Sequence, residues 1–68
     1  MSGNYIQARA LRAGDVLVNA EGQHWEVLKP YNTIAGLKLR HIATGTRRVI
    51  YEELISTVMW SFLPKEAQ

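Results

Sequence analysis

Residues 37–51 alternate apolar and polar positions on both sides of Thr44-Gly45, which is the pattern of a β-hairpin. A two-residue loop at Thr44-Gly45, or a four-residue loop around it, pairs Ala43 with Thr46, Leu39 with Ile50, Arg40 with Val49 and Lys38 with Tyr51. Side chains alternate across a strand. Leu37, Leu39 and Ile50 therefore share one face, and Lys38, Arg40, Arg47 and Tyr51 share the other. One face can build a core, and the other is cationic with an aromatic ring in it.

A second hairpin precedes this one. Residues 15–19 and 23–28 flank the turn signal Glu21-Gly22. A two-residue loop there pairs Val18 with Trp25 and Val16 with Val27, which sets these four side chains on one face and Leu17 and Glu26 on the other. Pro30 removes a ladder donor, so the strand stops at Lys29-Pro30 and a loop runs to Gly36. Upstream, residues 6–13 read as an approach segment, a short strand followed by a turn at Leu11-Arg12-Ala13-Gly14. Downstream, residues 52–56 read as one helical turn, and Val58, Trp60 and Phe62 alternate as a last strand.

Five short strands with turn residues between them predict a small all-β fold. Closing the sheet would remove its exposed edges. The expected architecture is a five-stranded SH3-like barrel with one short helical turn before the last strand, and an OB-fold is the second choice. The expected organisation is a flexible N-terminus over residues 1–4, the barrel over 5–63 and a tail over 64–68. The expected core is Val16, Val18, Trp25, Val27, Leu37, Leu39, Ile50, Leu54, Val58 and Trp60, with Ile55 and Phe62 at its margin.

Length and composition narrow the picture. A 68-residue chain allows one domain. A chain of this size buries only about 60% of its unfolded surface, so stability must come from an economical barrel, from self-association or from docking on a partner. No cysteine is present, which leaves no disulfide and no thiolate metal site. No apolar run is long enough to span a membrane. The start, Met1-Ser2-Gly3-Asn4-Tyr5, lacks the basic and apolar regions of a signal peptide, so a cytoplasmic protein is expected.

Little supports catalysis. His24 precedes Trp25 on a strand and points away from the core, while His41 lies on the inner side of its hairpin near the rim, opposite Arg48. No third ligand accompanies the two histidines, so no metal is expected. The carboxylates of Glu52-Glu53 diverge, and Ser56 and Thr57 have no nearby base. Without a phosphate-binding glycine motif either, the reading is a protein that is no enzyme and takes no cofactor.

Charge gives the binding hypothesis. The net charge of +2 is mild, but Arg9, Arg12, Lys38, Arg40 and Arg47, five of the eight lysines and arginines, can be brought to one side. A cationic surface with ring faces suits nucleic acid, because bases stack on aromatic side chains while cations meet phosphates. The expected nucleic-acid-binding residues are Lys38, Arg40, Arg47 and Tyr51, extended by Arg12 and Lys29, with Tyr31 in its loop and Tyr5 near the start as further rings. Surface cations are also the ordinary way to solvate a sheet. Trp25 and Trp60 read as core.

The order of these signals resembles the N-terminal, KOW-like domain of bacterial elongation factor P. The resemblance runs through Leu11-Arg12-Ala13-Gly14, the Gly22-Gln23 turn with Trp25 and Val27 after it, Lys38-Leu39-Arg40 and Thr44-Gly45-Thr46-Arg47, and it covers about residues 5–52. It implies an SH3-like barrel among translation- and RNA-associated proteins. In that family a glycine-rich loop between the second and third strands carries a lysine at its tip, and two further barrels follow. Here the loop reads Pro30-Tyr31-Asn32-Thr33-Ile34-Ala35-Gly36, with Lys29 only at its base. The resemblance therefore implies the barrel rather than the lysine-borne activity.

The expected partner is RNA or a ribonucleoprotein. The alternative is a small protein-binding adaptor or inhibitor, of the kind phages and mobile elements encode, acting through its loops and last strand. Met59 and Phe62 are then the interface residues, and a homo-oligomer is a further form of that alternative.

Overall fold

In the computed structural model, which describes residues 5–68, every segment read as alternating contributes a strand, although the last begins at Trp60 and leaves Val58 in the turn before it. The elements are β1 (Tyr5–Gln7), a 3₁₀ turn (Ala8–Ala10), β2 (Val16–Asn19), β3 (His24–Lys29), β4 (Leu37–His41), β5 (Arg47–Ile50), β6 (Leu54–Ser56), β7 (Trp60–Leu63) and a second 3₁₀ turn (Lys65–Ala67). The fold is all-β. The expected flexible N-terminus, residues 1–4, lies outside the described residues.

The five expected strands make one antiparallel sheet in the order β5-β4-β3-β2-β7, and β1 pairs with β6 in a two-stranded sheet. β5 and β7 are not bonded to each other, so the sheet is not closed into the expected barrel. The chain between them is occupied elsewhere. Residues 52–56, expected as a helical turn, instead supply β6, with Ile55 opposite Ile6 and Leu54 opposite Gln7. The Ala8 amide extends this pairing by donating to Glu53 O at 2.8 Å. A strand that can bury Ile55 against β1 outweighs the weak local preference for one isolated turn of helix.

The first hairpin has the opposite parity to the one expected. Leu17 lies opposite Trp25, Val16 opposite Glu26 and Val18 opposite His24. The cause is the loop. Ala20, Glu21 and Gly22 form a three-residue connection in which Gly22 N–H donates to Asn19 O and Asn19 N–H to Gln23 O. Gly22 adopts φ +82, the left-handed position that ends a three-residue hairpin loop. Asn19 Oδ1 reinforces it by accepting from the Glu21 and Gln23 amides at 3.1 and 2.9 Å. One extra loop residue shifts the register by one, and a one-residue shift exchanges the faces of a strand.

The second hairpin keeps its expected faces but slides by two residues. Leu37 pairs with Ile50, Lys38 with Val49, Leu39 with Arg48 and Arg40 with Arg47. Its four-residue loop is Ile42-Ala43-Thr44-Gly45, closed by Gly45 N–H to His41 O and His41 N–H to Thr46 O, each 2.7 Å. A slide by two preserves parity, so the inward set survives.

The core is Ala8, Leu11, Leu17, Trp25, Val27, Leu37, Leu39, Ile50, Ile55 and Trp60. Four expected members are not in it: Val16, Val18, which is half-buried on the opposite face, and Leu54 and Val58, which are 52% and 81% exposed. Val16 is buried, but on the other side of the sheet, between Glu26 and Leu63. Asp15 is also buried. Its Oδ2 accepts the Arg12 amide at 2.8 Å and its Oδ1 the Lys65 amide at 2.9 Å. The expected tail is thereby fastened to the start of β2.

Parity gives the first testable outcome. Leu17→Ala is expected to cost about 2–5 kcal/mol as a buried truncation, and Val18→Ala about 1 kcal/mol or less. Urea unfolding of the two variants measures the difference, and the reverse ranking would restore the two-residue loop and its register.

Candidate nucleic-acid interface

Two rows of side chains build the outward face of β3, β4 and β5. In the first row Glu26, Arg40 and Arg47 lie side by side. In the second, Lys29, Lys38 and Val49 do. Lys29 reaches this row through an irregularity. The β3–β4 register shifts between Val27 and Lys29, and the bulge places Lys29 opposite Lys38. Cross-strand neighbours stand about 5 Å apart, and the two rows are separated by one two-residue repeat, about 6.6 Å.

Like charges directly opposite each other repel, and this face holds two such pairs, Lys29 with Lys38 and Arg40 with Arg47. One carboxylate offsets part of the repulsion. Arg40 Nη2 donates to Glu26 Oε1 at 2.8 Å, with the two side chains 40% and 34% exposed. At that exposure the pair contributes about 0.2–1 kcal/mol. Arg40 is thus already engaged, and Lys29, Lys38 and Arg47 have no ion-pair partner among the described residues.

Tyr51 follows β5 and is 64% exposed. Gly36 positions it. A Cβ built on Gly36 would lie 2.7 Å from Val49 Cγ1, 2.9 Å from Ile50 O and 3.0 Å from Tyr51 Cδ1, and Gly36 has φ +76. The bare α-carbon lets the end of β5 and the Tyr51 ring close down beside β4. The same point beside Gly36 is approached by both Val49 and Tyr51, so the Tyr51 ring lies next to Val49 at the end of the second row.

The remaining expected residues lie elsewhere. Tyr31 turns inward: its ring is half-buried against the core, the Arg9 guanidinium stands 5.8 Å from its centroid, and its hydroxyl donates to Tyr51 O at 3.5 Å. Arg12 is exposed beyond the opposite edge of the sheet, beside Phe62 and Lys65 in a hollow of about 450 Å³. Tyr5 belongs to β1, in the other sheet. Met59 and Phe62 are 57% and 42% exposed, and they line separate hollows.

Arg48 is a residue to which the sequence pattern alone assigned no role. Its place opposite Leu39 turns it inward, and its guanidinium carbon lies 5.7 Å from the Trp25 centroid and 5.3 Å from that of Trp60. Each such contact contributes about 0.5–2 kcal/mol, more as water is excluded. His41 completes the group, edge-on to Trp25 at 4.9 Å, with Nδ1 accepting the Thr44 amide at 3.2 Å. The signal was present in the alternation, because Arg48 has the parity of Ile50.

No protein-family model matches the chain, and neither a curated protein nor a solved structure matches it. The likeness to the elongation factor P barrel accordingly rests on the sequence signals alone. No helix among the described residues is long and apolar enough to cross a membrane.

The close approach at Gly36 generates a second outcome. Gly36→Ala combines a positive φ with a 2.9 Å approach to backbone oxygen. It is expected to destabilise by more than about 1 kcal/mol and to shift the Tyr51 ring resonances. An unchanged melting temperature with unchanged Tyr51 resonances would refute this account of the ring's position.

Proposed function

We propose that this protein is a non-catalytic binding module for single-stranded RNA, free or within a ribonucleoprotein. The observation that carries the reading is the set of unpaired cations, Lys29, Lys38 and Arg47, on one sheet face that ends in the exposed ring of Tyr51. The rows supply charge for consecutive phosphates, and Tyr51 supplies a surface on which a base can stack. Such binding tolerates many sequences, since every base has a stacking face. The strand order, with the last strand returning beside β2, supports an SH3-like relationship. The resemblance to the elongation factor P domain supports a setting in translation, and with it the cytoplasm. No residue is assigned a chemical step, and neither cofactor nor metal enters the proposal.

Lys29→Glu with Lys38→Glu tests it. Anisotropy titration of a labelled single-stranded oligonucleotide should show weaker binding at every salt concentration. The slope of log affinity against log salt should flatten by about 0.7 for each phosphate that is no longer neutralised. Tyr51→Ala should cost about 1–3 kcal/mol of binding. Arg12→Glu, on the far side of the sheet, should change little. Equal losses from Arg12→Glu and from the Lys29/Lys38 pair would mean that net charge, and not this face, drives association.

A further inference from the structure

The free edge of β5 carries a second surface, which meets the cationic face at Arg47. The His41 amide donates to Thr46 O. Bonded and non-bonded pairs alternate along an antiparallel ladder. Leu39 with Arg48 and Leu37 with Ile50 are therefore the bonded pairs, and the main-chain N–H and C=O groups of Arg47 and Val49 point away from β4. No strand among the described residues takes them up, since β5 ends the sheet.

Beside this edge lies a hollow of about 220 Å³ between β5 and the β6–β7 segment, floored by Ile50, Ile55 and Trp60 and rimmed by Arg48, Leu54 and Met59. It is smaller than the roughly 300–1,000 Å³ of small-molecule pockets. It suits one apolar side chain of an added strand. The charge of the edge is net positive: Arg47 projects to the outer face and Arg48 to the inner, neither has a carboxylate partner among the described residues, and Glu52 is the single carboxylate that lines the hollow.

We propose that β5 is a strand-addition site for an extended, acidic peptide segment of a partner protein. The segment bonds to the Arg47 and Val49 main chain, places one apolar side chain in the hollow and sets carboxylates against Arg47 and Arg48. Main-chain bonds give such complexes their affinity, and alternate side chains give their specificity. This edge is not the last strand, and the proposal shares Arg47 with the RNA reading but uses neither Lys29 nor Lys38.

A displayed library of random short peptides, selected on the intact protein, tests it. The expected enrichment is for an apolar residue flanked by Asp or Glu, with shifts at the Arg47 and Val49 amides on titration. Val49→Pro removes only an outward-facing amide, which an edge strand tolerates. It should weaken the selected peptides by about tenfold or more. Should that variant fail to fold, Met59→Asp, an exposed rim change, should reduce binding comparably. Lys29→Glu with Lys38→Glu should leave peptide affinity within about threefold. The proposal is overturned by any of three results: enrichment of basic peptides, selected peptides that bind both edge variants normally, or sedimentation showing that a second copy of this chain already covers the edge. RNA that shifts the Arg47 and Val49 amides while the selected peptides do not would overturn it as well.

Discussion

Side-chain parity along the central strands is the constraint on which the molecule depends. With so few apolar residues, the sheet has one chance to set Leu17, Trp25, Val27, Leu37, Leu39 and Ile50 on the same side. Parity in turn depends on loop length. The three-residue loop over Ala20, Glu21 and Gly22 puts Leu17 inside, and the four-residue loop from Ile42 to Gly45 keeps Leu39 inside. The same alternation that fills the interior lifts Lys38, Arg40 and Arg47 together on the other side.

Sequence alone revealed the parts of the structure that follow from an even period. The all-β class, the five strands of the main sheet and the grouping of Lys38, Arg40, Arg47 and Tyr51 were all readable from alternation. The first hairpin was not, because Val16-Leu17-Val18 is apolar at every position, and either parity looks satisfactory without the loop geometry. Asn19 was the missing cue. Its side chain closes the loop from two residues before the turn signal. Residues 52–56 defeat a local reading for a different reason: their partner, β1, lies almost fifty positions earlier, as with Ile6 opposite Ile55. Local propensity carries no information about such pairing.

Two groups of cations behave in opposite ways. Those on the outer rows remain hydrated and largely unpaired, so they stay available to an anion. Arg48, between two indole rings, is part of the packing at the side where the sheet stays open. An arginine suits that place better than a third apolar residue would, since its planar head covers the aromatic faces while its charge still meets solvent. The gap between β5 and β7 is thus roofed in part by a residue that does not need to be dry.

The fastening of Asp15 to the Lys65 amide, together with the placement of β7 beside β2, makes this a late-closing structure. Val18 must find Ser61 across most of the chain, and pairings of such long span lower the rate of folding. A nascent polypeptide that has not yet released β7 from the ribosome holds β2 with one bare flank and a carboxylate that lacks its second amide. The native pairing of β2 therefore cannot be complete before the chain through Lys65 has been made.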